Sequence, residues 1–387
     1  SITAKQLNLA LTGGARFDKT YDGTANVTQT LTKGTNYSLT GFIGTEGDHL
    51  ALASATGTYT AGKDAAVNKG VTFDGLTLTG TGAANYVLDK TTLTGTGTIS
   101  PKQLNLALTG GARFDKTYDG TANVTQSLTK DGNYTLTNFV NGEGADIALA
   151  PVTGTYTDKN AGTGKTVTFG GLTLTGTGAG NYVLNKTALT GTGTITPRAL
   201  TLALTGDVRF DKTYDGNANV TQTLTKDGNY TLSNFVNGEG EGLALAPVTG
   251  TYTDKNAGTG KAVTFGGLTL TGMGAGNYVL NKTALTGTGR ITPKELNLAL
   301  ASGARFDKTY DGNANVVQSL TKDGNYSLTG FVTGEGTDIE LDRVTGTYTA
   351  GKDAAADKEV TFRNLALTGT GAGNYVLNKT ALTGTGT

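Results

Sequence analysis

The feature that most constrains this chain is internal repetition at a fixed period. The heptapeptide Phe-Asp-Lys-Thr-Tyr-Asp-Gly begins at Phe17, Phe114, Phe210 and Phe306, spaced by 97, 96 and 96 residues. Asn-Tyr-Val-Leu begins at Asn85, Asn181, Asn277 and Asn374. A third marker, Ile-(Ser/Thr)-Pro, stands at 99–101, 195–197 and 291–293, where proline fixes φ and biases the residue before it away from helix. Such a period overrides the two or three domains that 387 residues would otherwise suggest. Four domains are expected, at 1–99, 100–195, 196–291 and 292–387, as part of a longer array.

Gly-rich and Thr-rich sequence can be disordered, so each repeat must carry enough large apolar residues to close a core. Every aromatic recurs at a fixed place in the repeat. The first copy has Phe17, Tyr21, Tyr37, Phe42, Tyr59, Phe73 and Tyr86, and the second has Phe114, Tyr118, Tyr134, Phe139, Tyr156, Phe169 and Tyr182. At roughly 150 to 250 Å² of buried area each, seven such residues support a domain of this size.

Alternation of apolar residues with β-branched Thr predicts strands at Leu104–Leu108, Tyr134–Leu136, Gly154–Thr157, Val167–Phe169, Leu172–Leu174, Tyr182–Leu184 and Thr190–Ile195. Turn sequences such as Asp119-Gly120, Asp131-Gly132-Asn133 and Asn141-Gly142-Glu143-Gly144 separate them. No stretch has a helical apolar stripe, and 61–69 and 350–358 read as loops. Seven or eight short strands per copy predict an all-β tandem array of four Ig-like β-sandwich domains, with a β-grasp-like or other mixed β repeat as the alternative. Gly178-Ala179-Gly180-Asn181-Tyr182 has the spacing of a tyrosine corner, which favours the first reading.

Composition excludes several function classes. Lys+Arg 31 balance Asp+Glu 31, so no field recruits nucleic acid or anionic lipid. There is no Cys for disulfides, thiolates or cysteine zinc sites, and the single histidine, His49, is unrepeated, as is Met273. No apolar run is long enough for a membrane span. Gly162-Thr163-Gly164-Lys165-Thr166 ends like a phosphate loop, but Lys159 stands where its first Gly should be. The expectation is a protein that is not an enzyme, with no cofactor and no metal.

The Lys-Thr-Tyr-Asp-Gly core, the Gly-rich stretch ending in Gly-Asn-Tyr and the Ile-Thr-Pro-Lys joints resemble the YDG/MBG-type repeats. Those repeats occur in long bacterial surface and secreted adhesins, including filamentous-haemagglutinin-like exoproteins exported by two-partner secretion. The resemblance covers all four copies and implies an extracellular or bacterial cell-surface location and a spacing role; it names no ligand. Absence of cysteine is compatible with export of an unfolded chain.

Several residues invite a chemical reading. Asp18, Lys19, Tyr21 and Asp22 cluster like an acid, base and phenol, but Asp-Gly after a strand Tyr is ordinary turn chemistry. The structural reading packs Phe17 and Tyr21 inward and turns the chain at Asp22-Gly23. A second candidate is an intramolecular isopeptide bond from the motif lysine (Lys19, Lys116, Lys212 or Lys308) to a late carboxyl or amide (Asp89, Asn185, Asn281 or Asn378), against a solvated lysine. Asn-x-Ser/Thr sequons recur at Asn26, Asn36, Asn123, Asn133, Asn185, Asn219, Asn229, Asn281, Asn325 and Asn378, as glycosylation acceptors or plain turn residues. Acidic turns at Glu46-Gly47-Asp48, Glu143-Gly144-Ala145-Asp146 and Glu335-Gly336-Thr337-Asp338 recur as carboxylate pairs, a calcium site or solvated acids.

The joint from the last strand of one copy to the first strand of the next has no flexible Gly/Ser run. Four sandwiches of about 40 Å in line would make a monomeric rod of roughly 150 to 170 Å. The expected function is a structural stalk of an adhesin that extends a binding tip, the unknown host or matrix ligand being engaged by other parts of the parent protein. The alternative is a set of multivalent glycan- or protein-binding repeats, which would need an exposed aromatic in each copy, for example Tyr37, Tyr134, Tyr230 and Tyr326.

Overall fold

The computed structural model describes residues 1–387 and is all-β, built from strands and short 3-10 turns with no α-helix. The chain divides into two compact units, Ser1–Thr196 and Pro197–Thr387. Each holds two copies of the repeat, and the division falls within a residue of the second proline joint read from the sequence.

The first copy sets the plan: β1 (Lys5–Leu11), β2 (Lys19–Thr20), β3 (Tyr37–Thr40), β4 (Leu50–Leu52), β5 (Thr58–Tyr59), β6 (Ala66–Phe73), β7 (Leu78–Gly80), β8 (Tyr86–Leu88) and β9 (Leu93–Ser100). They form a three-stranded sheet of order β3-β1-β8, a four-stranded sheet of order β2-β9-β6-β5 and the pair β4-β7. The pairings β1–β8 and β2–β9 are parallel and the others antiparallel. The second copy repeats this with strands that include Lys102–Leu108, Gly162–Gly170 and Ala188–Thr196. The two-residue strands at Lys116–Thr117 and Ala148–Leu149 were not predicted, because two residues carry no alternation to read.

The core follows from period two. Leu7 and Leu9 on β1, Val71 and Phe73 on β6, and Leu93 and Ile99 on β9 are all buried, and the polar residues between them, Asn8, Thr72, Thr94, Thr96 and Thr98, are exposed or half-buried. Phe17 is fully buried at the centre, its ring 4.7 Å from that of Phe73. This explains the Leu-Thr-Gly-Thr-Gly-Thr-Ile run of β9. Its glycines share the inward face with Leu93 and Ile99, and a Cβ on Gly95 would sit 3.0 Å from both Phe17 Cε2 and Leu11 Cδ1. A Cβ on Gly97 would run into the Phe17 carbonyl oxygen. The two glycines therefore form a slot that the phenylalanine fills.

Tyr37, Tyr134, Tyr230 and Tyr326, the positions a stacking platform would need, are each 1% exposed. Their hydroxyls are used internally: Tyr37 accepts from Leu52 N at 2.7 Å and Tyr134 from Leu149 N at 2.9 Å. The tyrosine corner expected at Tyr182 is corrected. Gly178, with φ 81°, starts a 3-10 turn over Ala179–Asn181, and the Tyr182 hydroxyl donates to a carboxylate about forty residues upstream instead of to nearby backbone.

Filling the slot should be costly. Gly95→Ala is expected to destabilise the first copy by about 1–3 kcal/mol, the range for overpacking a core. Urea unfolding should show an earlier first transition, with the transitions of the Pro197–Thr387 unit unmoved.

Candidate functional site at the joint between repeats

Within the Ser1–Thr196 unit one residue, Pro101, separates β9 from the first strand of the second copy. Just before it, β2 lies parallel to the end of β9, with Lys19 opposite Ile99 and Thr20 opposite Ser100, and Tyr21 N donates to Ser100 O at 2.8 Å. This register carries the Tyr-Asp-Gly tip of the first copy onto the second.

The motif lysine shapes that tip. Lys19, 9% exposed, donates to Asp22 Oδ1 at 2.7 Å, Thr24 O at 2.9 Å and Asn26 O at 2.8 Å. Asp22 Oδ1 in turn accepts from Thr24 N at 2.9 Å, and Gly23 takes φ 79°, which glycine adopts freely. Burial would raise the Asp22 carboxyl pKa, but the hydrogen bonds from Lys19 and Thr24 outweigh it and hold the group below its usual range. The lysine is thus neither solvated nor left without acceptors. Lys116 and Lys212 are equally buried and pair with Asp119 and Asp215 at 2.6 Å, and Lys308 with Asp311 at 2.6 Å.

The structure holds the lysines apart from the late residues named as cross-link partners. Asp89 follows β8 in the other sheet, where its Oδ1 accepts from Leu9 N at 2.8 Å. Asn185, Asn281 and Asn378 accept from Leu106, Leu202 and Leu298 N, each at 3.0 Å. These side chains extend the parallel β1–β8 ladder by one bond. The same use absorbs three of the sequons, and Asn36 and Asn133 accept from Thr32 and Thr129 N in local turns.

Tyr21 is 2% exposed, but its surroundings belong to the second copy as well as the first. Its hydroxyl donates to Glu143 Oε1 at 2.7 Å, and its ring meets that of Tyr182 edge-on at 5.5 Å. Tyr182 donates to Glu143 Oε2 at 2.6 Å and accepts from Val140 N at 3.2 Å. Lys63 Nζ, from the first copy, pairs with Glu143 Oε1 at 2.9 Å. Asn181, 6% exposed, accepts from Ala65 N at 2.7 Å and donates to Asp64 Oδ1 at 2.9 Å. Gly23 lies against Val140, with 2.7 Å between its hypothetical Cβ and Val140 Cγ1.

The Pro197–Thr387 unit contains the same joint. Tyr214 donates to Glu335 Oε1 at 2.8 Å, Tyr375 to Glu335 Oε2 at 2.7 Å, and Lys255 pairs with Glu335 at 3.0 Å. Asn374 accepts from Ala257 N at 2.8 Å, and the Tyr214 and Tyr375 rings meet at 5.5 Å.

The acidic turn is therefore the acceptor of a staple, with a lysine and two tyrosines as its partners. Burial would raise the Glu143 pKa, but the hydrogen bonds from Lys63, Tyr182 and Tyr21 together bring it down to about 2. Burial and then the Glu143 bond push Tyr182 up to about 12, and the bond to Glu143 raises Lys63 to about 12. Tyr21, expected to pack within its own domain, instead joins two. Of the staple residues, the sequence reading singled out Glu143 only as an acid and missed Lys63 and Asn181. One signal was available: Lys-(Asp/Asn)-Ala recurs at 63–65, 159–161, 255–257 and 352–354 although the segments around it differ in length and composition.

Segments 3–93, 100–190, 196–285 and 292–382 each match the YDG domain. The chain belongs to the YDG domain family. A comparison with curated proteins finds no match. In this YDG array the Tyr-Asp-Gly motif has two structural tasks in the stapled pairs: Asp holds the lysine that closes the tip, and Tyr reaches the next domain.

Two outcomes follow. Glu143→Gln should weaken coupling between the first two YDG domains, and the loss should depend on pH with a definite sign. The folded carboxyl titrates near 2 instead of its ordinary 4.5, so its contribution is complete above 4.5 and disappears as pH falls toward 2. Thermal unfolding of wild type and variant should differ at pH 7 and converge near pH 2; a constant difference would show that the carboxylate charge is irrelevant. Intact mass should equal the sequence sum, whereas loss of ammonia or water per domain would show that the lysines do form cross-links.

Proposed function

We propose that this YDG array is a spacer in a surface-displayed or secreted bacterial adhesin, holding a binding region elsewhere in the parent protein away from the cell. The observation that carries this reading is the stapled joint. Consecutive domains connected by one proline, and held in register by a buried tyrosine pair on one carboxylate, favour a fixed step per repeat over a flexible hinge. The burial of Tyr37, Tyr134, Tyr230 and Tyr326 removes those rings as a sugar-stacking surface. Each domain is best read as a two-layer sandwich akin to the Ig-like type. Its β2-β9-β6-β5 order resembles one immunoglobulin sheet, and the central β1 with its parallel β8 neighbour sets it apart. Extracellular location rests on the family resemblance, and the absence of cysteine is compatible with export of an unfolded chain.

Small-angle scattering on the full chain tests the spacer reading. Four domains in line predict a maximum dimension of roughly 150 to 170 Å and a radius of gyration of about 45 Å. A value close to the roughly 21 Å of a compact globule of this length would sink it. Glu143→Ala with Glu335→Ala should leave each domain folded and broaden the distance distribution, since two of the three joints, the one inside each compact unit, lose their common acceptor.

A further inference from the structure

Tension on a domain within the array enters by one strand and leaves by another, because a single proline, Pro101, Pro197 or Pro293, joins the last strand of each copy to the first strand of the next. In the first copy those strands are β1 and β9. They run in succession: a Cβ on Gly95, near the start of β9, would lie 3.0 Å from Cδ1 of Leu11, the last residue of β1. Beyond Pro101 the order begins again, since Lys102 is opposite Tyr182, whose ring meets that of Tyr21 beside the exit of β9. Load therefore passes along the strands. Each of the two has a partner on either edge, β1 lying between β3 and β8 and β9 between β2 and β6. The hydrogen bonds of a ladder stand across its strands, so a pull along them strains every rung together, whereas a pull across them opens one rung at a time.

We propose that each YDG domain is a load-bearing clamp, its first and last strands sheared instead of peeled when the array is stretched, with Asp18, Asp89 and their counterparts as rungs added to those two strands. The first aspartate of the heptapeptide, which the staple does not use, accepts from Thr98 N of β9 at 2.7 Å. Asp115 accepts from Thr194 N at 2.6 Å, Asp211 from Arg290 N at 2.8 Å and Asp307 from Thr387 N at 2.7 Å. A side chain serves here because the neighbouring backbone acceptor, Phe17 O, is taken by the Tyr59 hydroxyl. The rung stands between the Phe17 N to Thr96 O bond of 3.1 Å and the pairing of Lys19 with Ile99, so the ladder on β9 has no gap. On β1, Asp89 N donates to Leu7 O at 2.9 Å and Asp89 Oδ1 accepts from Leu9 N at 2.8 Å, which continues the β8 ladder past Leu88. Asn185 and Asn281 make the same side-chain bond at 3.0 Å. Side-chain rungs thus recur on the two strands that carry the load. The proposal rests on the spacer reading only for the origin of the tension.

Single-molecule force-clamp measurements on the full chain test this, because lifetimes under force follow the unfolding rate. Release of one domain adds roughly 300 Å of chain, which identifies each event. Asp18→Ala, Asp115→Ala, Asp211→Ala and Asp307→Ala together remove one rung per domain and should raise the rupture rate at fixed force about fivefold. Asn at the same four positions keeps the accepting oxygen and should restore the wild-type rate. Asn185→Ala with Asn281→Ala should accelerate the second and third domains alone, giving two populations of lifetimes. Tyr37→Phe, Tyr134→Phe, Tyr230→Phe and Tyr326→Phe are the control: they remove a buried bond between β3 and β4, or its counterpart, and neither strand attaches to a joint. This set should lower the urea midpoint and leave the rupture rate under force unchanged. Circular dichroism reports that the domains of every set are folded. An unchanged rate in the Asp→Ala set, an Asn set no slower than it, or an equal acceleration in the Tyr→Phe set would overturn the clamp, the last because rupture would then follow overall stability. Scattering reads spacing and force lifetimes read load, so the failure of one reading is distinguishable from the failure of the other.

Discussion

One carboxylate organises the joint inside each compact unit. Glu143 has two oxygens and three donors, and those donors come from two domains: Tyr21 and Lys63 from the first, Tyr182 from the second. Lys63 and Glu143 are partly open to water, and an ion pair of that kind alone contributes little. The two tyrosine hydroxyls, on residues 2% and 5% exposed, add more, because a charged acceptor strengthens each bond and its loss would leave them buried without it. The joint therefore depends on burial of the rings first and on the ammonium second.

That arrangement is possible because the tip that delivers Tyr21 is itself rigid. Lys19 points back under its own turn and is saturated by Asp22, Thr24 and Asn26, so two residues of the heptapeptide and two just beyond it act as one device. Phe17 anchors its start in the glycine slot of β9, and the β2–β9 register sets its angle. The same β9 leads through Pro101 into the next domain. Core packing, strand pairing and the inter-domain contact are thus coupled through a single strand, and a shift in one displaces the others.

The domain count, the joints, most strands and the membership of the core were legible because each follows from local pattern: period, alternation and Gly/Asp turns. Parallel pairing was not legible, since β1 and β8 are about eighty residues apart and alternation says nothing of direction. The role of Tyr21 was missed for a related reason. A buried tyrosine at a fixed place in every copy reads the same whether its neighbours belong to its own domain or to the next. Lys19 was judged from its position at a strand end, where lysine is usually solvated, because nothing in the sequence showed Thr24 and Asn26 carbonyls converging on it. Asp89 and Asn185 were noticed for what they could react with, and their actual task, continuing a backbone ladder, is one that either an acid or an amide can perform.

The polar character of the joint answers a problem that near-identical neighbours create. Domains this alike can exchange elements or dock in alternative settings, and an apolar joint would tolerate several rotations. A carboxylate that must receive Tyr21 and Lys63 on one oxygen and Tyr182 on the other, while Asn181 pairs with both Ala65 N and Asp64, is satisfied in one setting only. Any other leaves a buried donor or acceptor unmatched, which costs more than the bonds contribute when made. The staple thereby selects geometry more than it adds stability, which is what an array of similar modules requires if each is to repeat the step of the one before it.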